Sequence, residues 1–174
     1  MKITQLTKLA LLILTLSIFV GCSSTSEEVD TGMTQEPEPT DNSQSEAEAA
    51  AARAAAAEEQ ARRSALATRV FYFDFDIADI RDEDRDTLTY HARDLAANPD
   101  RSVRLEGHAD ERGTREYNLA LGERRANSIL NYLIVNGAAR SQLETVSYGE
   151  EQPTDRGTNE TAYQRNRRVE IVDP

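Results

Sequence analysis

The change of character at Val70 constrains this chain more than any other feature. From Ser23 to Gln44 the residues are mostly Ser, Thr, Glu and Pro, with Val29 and Met33 as the only apolar side chains. So little hydrophobic surface cannot offset the entropy of ordering, and the segment is expected to be disordered. Ser45 to Thr68 is an alanine tract carrying Glu46, Glu48, Arg53, Glu58, Glu59, Arg62 and Arg63. Alanine favours helix and the acids lean toward the N-terminal end, but a lone helix of this length is marginal in water, so a frayed, solvated helix is expected. Coil and helix together reach some tens of ångströms, roughly 26 Å plus roughly 35 Å, which makes residues 22–68 a tether. Only residues 69–174 remain to form a core, enough for one domain of ordinary size.

Within that domain, runs with the period of two alternate with runs of helical period. Val70 to Phe75 reads as a strand, Asp82 to Ala97 as a helix closed by Asn98-Pro99, and Ser102 to Glu106 as a strand. Arg115 to Asn136 reads as a helix closed by Gly137, Leu143 to Tyr148 as a strand, Thr161 to Arg165 as a short helix and Arg167 to Val172 as a last strand. The expected fold is an α/β two-layer sandwich, one sheet with helices packed on it.

At the other end, Lys2 and Lys8 precede an apolar run from Leu9 to Val20 that ends at Gly21-Cys22. This has the plan of a signal peptide over residues 1–21. Its twelve residues, apolar but for Thr15 and Ser17, span roughly 18 Å, short of the roughly 30 Å hydrocarbon core of a bilayer. Phe19-Val20-Gly21-Cys22 resembles the recognition sequence of bacterial lipoproteins, with Phe19 in place of the usual Leu. The resemblance implies that Cys22 becomes the acylated mature N-terminus, and that Ser23 after it directs the protein to the periplasmic face of the outer membrane. As the only cysteine, Cys22 has no partner in its own chain for a disulfide.

Charge narrows the partners. The formal net charge of -11 opposes binding to nucleic acid by bulk attraction. Both lysines precede Cys22, so the basic residues of a processed chain are all arginine, the side chain suited to gripping carboxylates with two parallel bonds.

Chemistry is expected where the strand Val103-Arg104-Leu105-Glu106 runs into Gly107-His108-Ala109-Asp110-Glu111-Arg112-Gly113, ahead of Thr114 as a helix cap. Asp110 serves there either as a ligand group or as an Asx turn that orders the loop. On the following helix, with Tyr117 at zero and about 100° per residue, Leu119, Ala126, Leu130 and Leu133 gather near roughly 190° and mark the core stripe. Arg124 falls nearly opposite, in water. Arg125 falls beside Asn118 and Leu121 on the shoulder of the helix, placed to line a pocket. Gly122 marks a close approach of backbone or ligand. Asp110 and Arg125 form either an internal salt bridge or a receptor for a zwitterion, with Asp110 taking an ammonium and Arg125 a carboxylate. Phe71 and Phe73 are core, while Phe75 shares their face and Asp76, just past the strand, either joins the site or makes a turn.

Phe73-Asp74-Phe75-Asp76, Glu106 to Gly113, Asn118 to Ala126, Ser147-Tyr148-Gly149 and Asn166-Arg167-Arg168 together resemble the OmpA-like domain of the peptidoglycan-associated lipoproteins, over nearly all of Val70 to Val172. The resemblance implies a four-stranded mixed sheet and noncovalent binding of the diaminopimelate side arm of peptidoglycan. The matching positions are Asp110 and Arg125, surrounded by Phe75, Asp76, Asn118 and Leu121. It also implies a periplasmic propeller partner resembling TolB, within a Tol system that acts in envelope integrity and division. Arg167 and Arg168 read first as a sheet edge with ion pairs.

The competing class is a cell-wall hydrolase using Asp74, Asp76, Asp110 or Glu111 as paired carboxylates, or a zinc amidase. A catalytic zinc asks for three protein ligands, and His91 and His108 are the only histidines. His91 is expected in exposed helix packing and His108 as a hydrogen-bond donor that orders the loop. No catalytic residue, metal or cofactor is assigned.

Overall fold

The computed structural model describes residues 42–174. The expected signal peptide, the expected acylation site at Cys22 and the segment expected to be disordered as far as Asp41 lie outside the described residues. The elements are α1 (Asn42–Ala67), β1 (Val70–Tyr72), α2 (Asp82–Ala97), β2 (Val103–His108), α3 (Arg115–Val135), β3 (Leu143–Gly149), α4 (Glu160–Asn166) and β4 (Arg168–Val172). Among the described residues no helix is long and apolar enough to cross a membrane.

The sheet is four-stranded and mixed, in the order β1-β4-β2-β3. β4 runs antiparallel to both β1 and β2, and β2 runs parallel to β3 through the α3 crossover. β4 is therefore interior, and the expectation of a sheet edge at Arg167 and Arg168 is wrong. The ion pairs expected there are present: Arg168 bonds Glu170 at 2.6 Å, and Arg167 bonds Asp110 at 3.1 Å and Glu160 at 2.8 Å. Chain order alone makes the last strand look terminal, whereas its two neighbours come from residues far upstream.

The core lies between the sheet and α2 and α3. It is built from Phe71, Phe73, Leu88, Leu95, Leu105, Ile129, Leu133, Val169 and Ile171, all nearly inaccessible to solvent. Close packing of α3 on β2 depends on two facing glycines. A methyl group on Gly107 would stand 2.0 Å from the Gly122 carbonyl oxygen, and one on Gly122 would stand 2.4 Å from Ser147 Oγ. The close approach expected at Gly122 is thus of backbone on backbone. Gly107→Ala is expected to push α3 off the sheet and lower stability by about 3 kcal/mol, measured by urea unfolding; a change under about 0.5 kcal/mol would contradict this packing.

α1 departs from the solvated helix expected. It begins at Asn42, so Glu46 lies beyond the first turn, where no acid stands. Its upstream part is exposed, but its C-terminal end packs on α2. Ala65 is buried, Tyr90 Oη donates to Glu58 at 3.2 Å, and Arg62 pairs with Asp94 at 3.5 Å. His91, expected to be exposed, is buried, with Nε2 2.8 Å from the Thr68 carbonyl and its ring edge-on to Phe71. The aromatic contact and the carbonyl come from α1's exit and β1, which is why helical periodicity along α2 alone does not place it.

Candidate functional site

The strand reading of Val70 to Phe75 holds only as far as Tyr72. Phe73 still donates its amide to the Arg167 carbonyl at 2.8 Å, then the chain turns, with Ile77 N bonded to Asp74 O at 3.3 Å. Asp76 has a φ of 57°, a left-handed conformation that Asp tolerates better than most residues. The turn rotates Phe75 off the core face of Phe71 and Phe73 and leaves it 56% exposed.

That turn makes one wall of a hollow of about 200 Å³. The loop after β2 supplies Asp110, Arg112 and Gly113, and α3 supplies Tyr117, Asn118, Leu121 and Arg125. Arg167 enters from the residue before β4. The six residues named from the sequence, Asp110, Arg125, Phe75, Asp76, Asn118 and Leu121, all line this one hollow. A second, more open hollow lined by Tyr72, Arg81, Glu160, Thr161, Gln164 and Arg165 contains none of them.

Arg125 is not on the shoulder of α3. It is fully buried, in line with Leu121, Gly122, Ile129 and Leu133, while Leu119 is 41% exposed. The buried stripe is centred near roughly 120° on the wheel rather than near 190°. Burial of the guanidinium is met by three backbone carbonyls: Nε donates to Ile77 at 2.9 Å, Nη1 to His108 at 2.9 Å and Nη2 to Asp74 at 3.0 Å. Its ordinary pKa is pushed down to about 10, by burial first and by the charge of Arg167 next, so it stays cationic at neutral pH. A guanidinium has five N–H groups, so two remain after these three bonds.

Asp110 does not pair with Arg125. Oδ1 accepts from the Arg112 amide at 3.1 Å, which is an Asx turn, and from Arg112 Nε at 3.2 Å. Oδ2 accepts from Arg112 Nη2 at 2.6 Å and from Arg167 Nη1 at 3.1 Å. Burial alone would raise its pKa, but the hydrogen bonds from Arg112 and Arg167 outweigh that and hold the carboxyl below the usual carboxylate value. The Arg112 guanidinium lies over two rings, 4.2 Å from the centre of Phe75 and 4.5 Å from that of Tyr163. Asp76 accepts from Tyr117 Oη, and Asn118 donates to Glu150.

Arg112, Gly113, Tyr117 and Arg167 are residues of the hollow that sequence reasoning misses. Arg112 carried a usable signal, two positions after an Asp in a tight loop. Arg167 belongs to the Asn166-Arg167-Arg168 motif, but its place in the hollow depends on β4 being interior, which the sheet-edge reading of that motif left out.

The other carboxylates weighed as a hydrolytic pair are engaged by neighbouring side chains. Asp74 is bonded to Arg81 at 2.6 Å, and Glu111 accepts from Tyr163 at 3.0 Å. An Asp110 held ionised by two arginines is unsuited to act as a general acid. Among the described residues no group of three or more His, Cys, Asp or Glu side chains is placed to hold a metal ion.

His108 is not the hydrogen-bond donor expected. It is 2% exposed, its ring stacks at a tilt on Tyr148, and neither ring nitrogen has a partner among the described residues. Burial, reinforced by the charge of Arg168 and opposed by Glu170, pushes its pKa down to about 4. The unfolded chain therefore binds more protons between pH 6.5 and 4, and stability is lost as pH falls through that window. The loss should reach about 3 kcal/mol by pH 4. Urea midpoints against pH should show this fall in the parent and its disappearance in His108→Phe; an equal fall in the variant would assign the acid lability elsewhere.

The OmpA family model matches residues 72–167. Peptidoglycan-associated lipoproteins of Pseudomonas putida and Pseudomonas aeruginosa are 52% and 50% identical to this chain over 105 residues, which is 60% of this chain in each case. The match spans 63% and 62% of those relatives' own lengths, less than two thirds. The crystal structure of the peptidoglycan-associated lipoprotein from Burkholderia pseudomallei is similar with a TM-score of 0.62 at 41% identity, covering 63% of this chain and 93% of that one.

Proposed function

The chain belongs to the OmpA family, and on that footing we propose that its globular part binds peptidoglycan noncovalently through the diaminopimelate side arm and performs no reaction on it. The arm ends in an ammonium and a carboxylate. Asp110 receives the ammonium, and the two N–H groups of Arg125 not bonded to backbone receive the carboxylate. Asn118, Leu121, Phe75 and Asp76 close around the methylene chain. The observation that carries this reading is that Asp110 and Arg125 share one hollow while each is bonded to other partners and not to the other.

An acidic protein gains nothing from bulk charge on approaching an anionic polymer, so affinity rests on matched local contacts and depends only modestly on salt. The test is retention on purified sacculi at equal protein concentration. Wall carrying diaminopimelate should retain at least about tenfold more protein than wall carrying lysine at the same position, since lysine keeps the ammonium but lacks the carboxylate. Equal retention on both would end the assignment, and release of soluble wall fragments would favour a hydrolase.

The same reading makes the protein an outer-membrane lipoprotein facing the periplasm, acylated at Cys22, with residues 22–68 setting the distance from bilayer to wall. Mass spectrometry of the mature protein should find Met1 to Gly21 absent and acyl mass added; an intact N-terminus would refute the anchor. The proposed partner is a periplasmic propeller resembling TolB within a Tol system, which links the tether to envelope integrity and division. Competition between that partner and sacculi for the domain tests this part, and simultaneous binding would argue against a shared surface.

A further inference from the structure

Of the three guanidinium groups around the hollow, two are pinned. Arg125 is held by three backbone carbonyls, and Arg167, 3% exposed, is held by Phe73 O, Asp110 and Glu160. Arg112 is different. Its side chain is 35% exposed, at the tip of the loop between β2 and α3, and its other carboxylate partner, Glu160 at 3.2 Å, is 64% exposed. While Arg112 is in place, both oxygens of Asp110 are engaged by it, one of them also by Arg167. An incoming ammonium must therefore take over the bonds made by Arg112 Nε and Nη2.

We propose that the Arg112 side chain is a displaceable latch, occupying in the free protein the seat between Asp110 and the rings of Phe75 and Tyr163 that the ligand's ammonium takes on binding. This rests on the reading of the hollow as a receptor for a zwitterionic side arm. When the latch swings out, Asp110 keeps its bonds from the Arg112 amide and from Arg167, so the carboxylate stays in position. The two rings then face a slot that has just released one cation and is suited to another. Binding is weakened by the fraction of time the latch is closed. The latch also selects for charge, because an N-acetylated arm offers no cation to replace the one withdrawn from Asp110.

The test uses the full-length chain in detergent, with a muropeptide bearing the free diaminopimelate amine as probe and its N-acetylated form as control. Affinities are read by calorimetry and association rates by stopped flow. Arg112→Gln should bind the free-amine probe about tenfold more tightly than the parent, with most of the gain in association rate. Arg112→Lys, which keeps a cation but not the fork, should fall between the two and serves as the readout should the Gln variant fail to fold. If the parent binds and both variants bind equally or more weakly, the latch is refuted and the receptor reading stands. If neither the parent nor the variants bind the free-amine probe, the receptor reading falls and the latch falls with it.

Discussion

Asp110→Asn should lower affinity for diaminopimelate-containing peptidoglycan by about 100-fold while the domain stays folded. The substitution keeps the shape of the side chain and its capacity to accept from the Arg112 amide, so the Asx turn survives. What is lost is the charge that faces the ammonium. Arg167, 3% exposed, would keep Glu160 and the Phe73 carbonyl, and Arg112 has solvent to turn to. The stability cost should therefore be modest, about 1 to 3 kcal/mol, below that of a buried ion left with no partner. Because Arg112 and Arg167 hold the Asp110 carboxyl below its ordinary pKa, binding in the parent should be flat from neutral pH down to the lower carboxylate range. Affinity and melting temperature measured on the same preparations separate the two effects. An Asn variant that binds like the parent would remove Asp110 from the ammonium site.

Arg125→Met should be the most damaging single change in the domain. Arg125 fastens the turn after β1 to the end of β2, through Asp74 and Ile77 on one side and His108 on the other. Methionine fills part of the volume but removes the guanidinium donor from the buried His108 carbonyl and from the carbonyls of Ile77 and Asp74, the last of which keeps only the bond from the Ile77 amide. The expected cost is about 3 to 5 kcal/mol, or a melting temperature lower by about 15 °C or more. Arg125→Lys should recover little of this, since one ammonium on a flexible stem cannot reproduce the planar fork that serves three carbonyls. Both variants should lose binding, because the walls of the hollow separate as the turn comes loose. Thermal unfolding followed by circular dichroism checks the first part and sacculus retention the second. A Met variant as stable as the parent would mean that those carbonyls find other donors.

Helix α2 and the start of α3 were legible because acids in the first turn of one and the Thr114 cap of the other are local signals. Arg125 was legible as a pocket residue but not as a buried one. Periodicity assumes that apolar side chains mark the core, yet on α3 Leu119 faces solvent while Asn118 and Arg125 are inside. What brings Arg125 inside is a set of carbonyls 17 to 51 residues away in sequence, to which a helical wheel is blind. The same limit applies to Arg167, whose role follows from strand order, and to Phe75, which a left-handed Asp76 turns outward. The end of α1 became docked for a related reason: Ala65 is small enough for close approach, and Glu58 and Arg62 find Tyr90 and Asp94 on α2.

A structure of the protein bound to a diaminopimelate muropeptide tests the central claim most directly. The account predicts the arm's ammonium within hydrogen-bond reach of Asp110, its carboxylate on Arg125, and the Arg112 side chain swung out from between Phe75 and Tyr163. A muropeptide seated elsewhere, or one whose arm leaves the bonds between Asp110 and Arg112 intact, would contradict it.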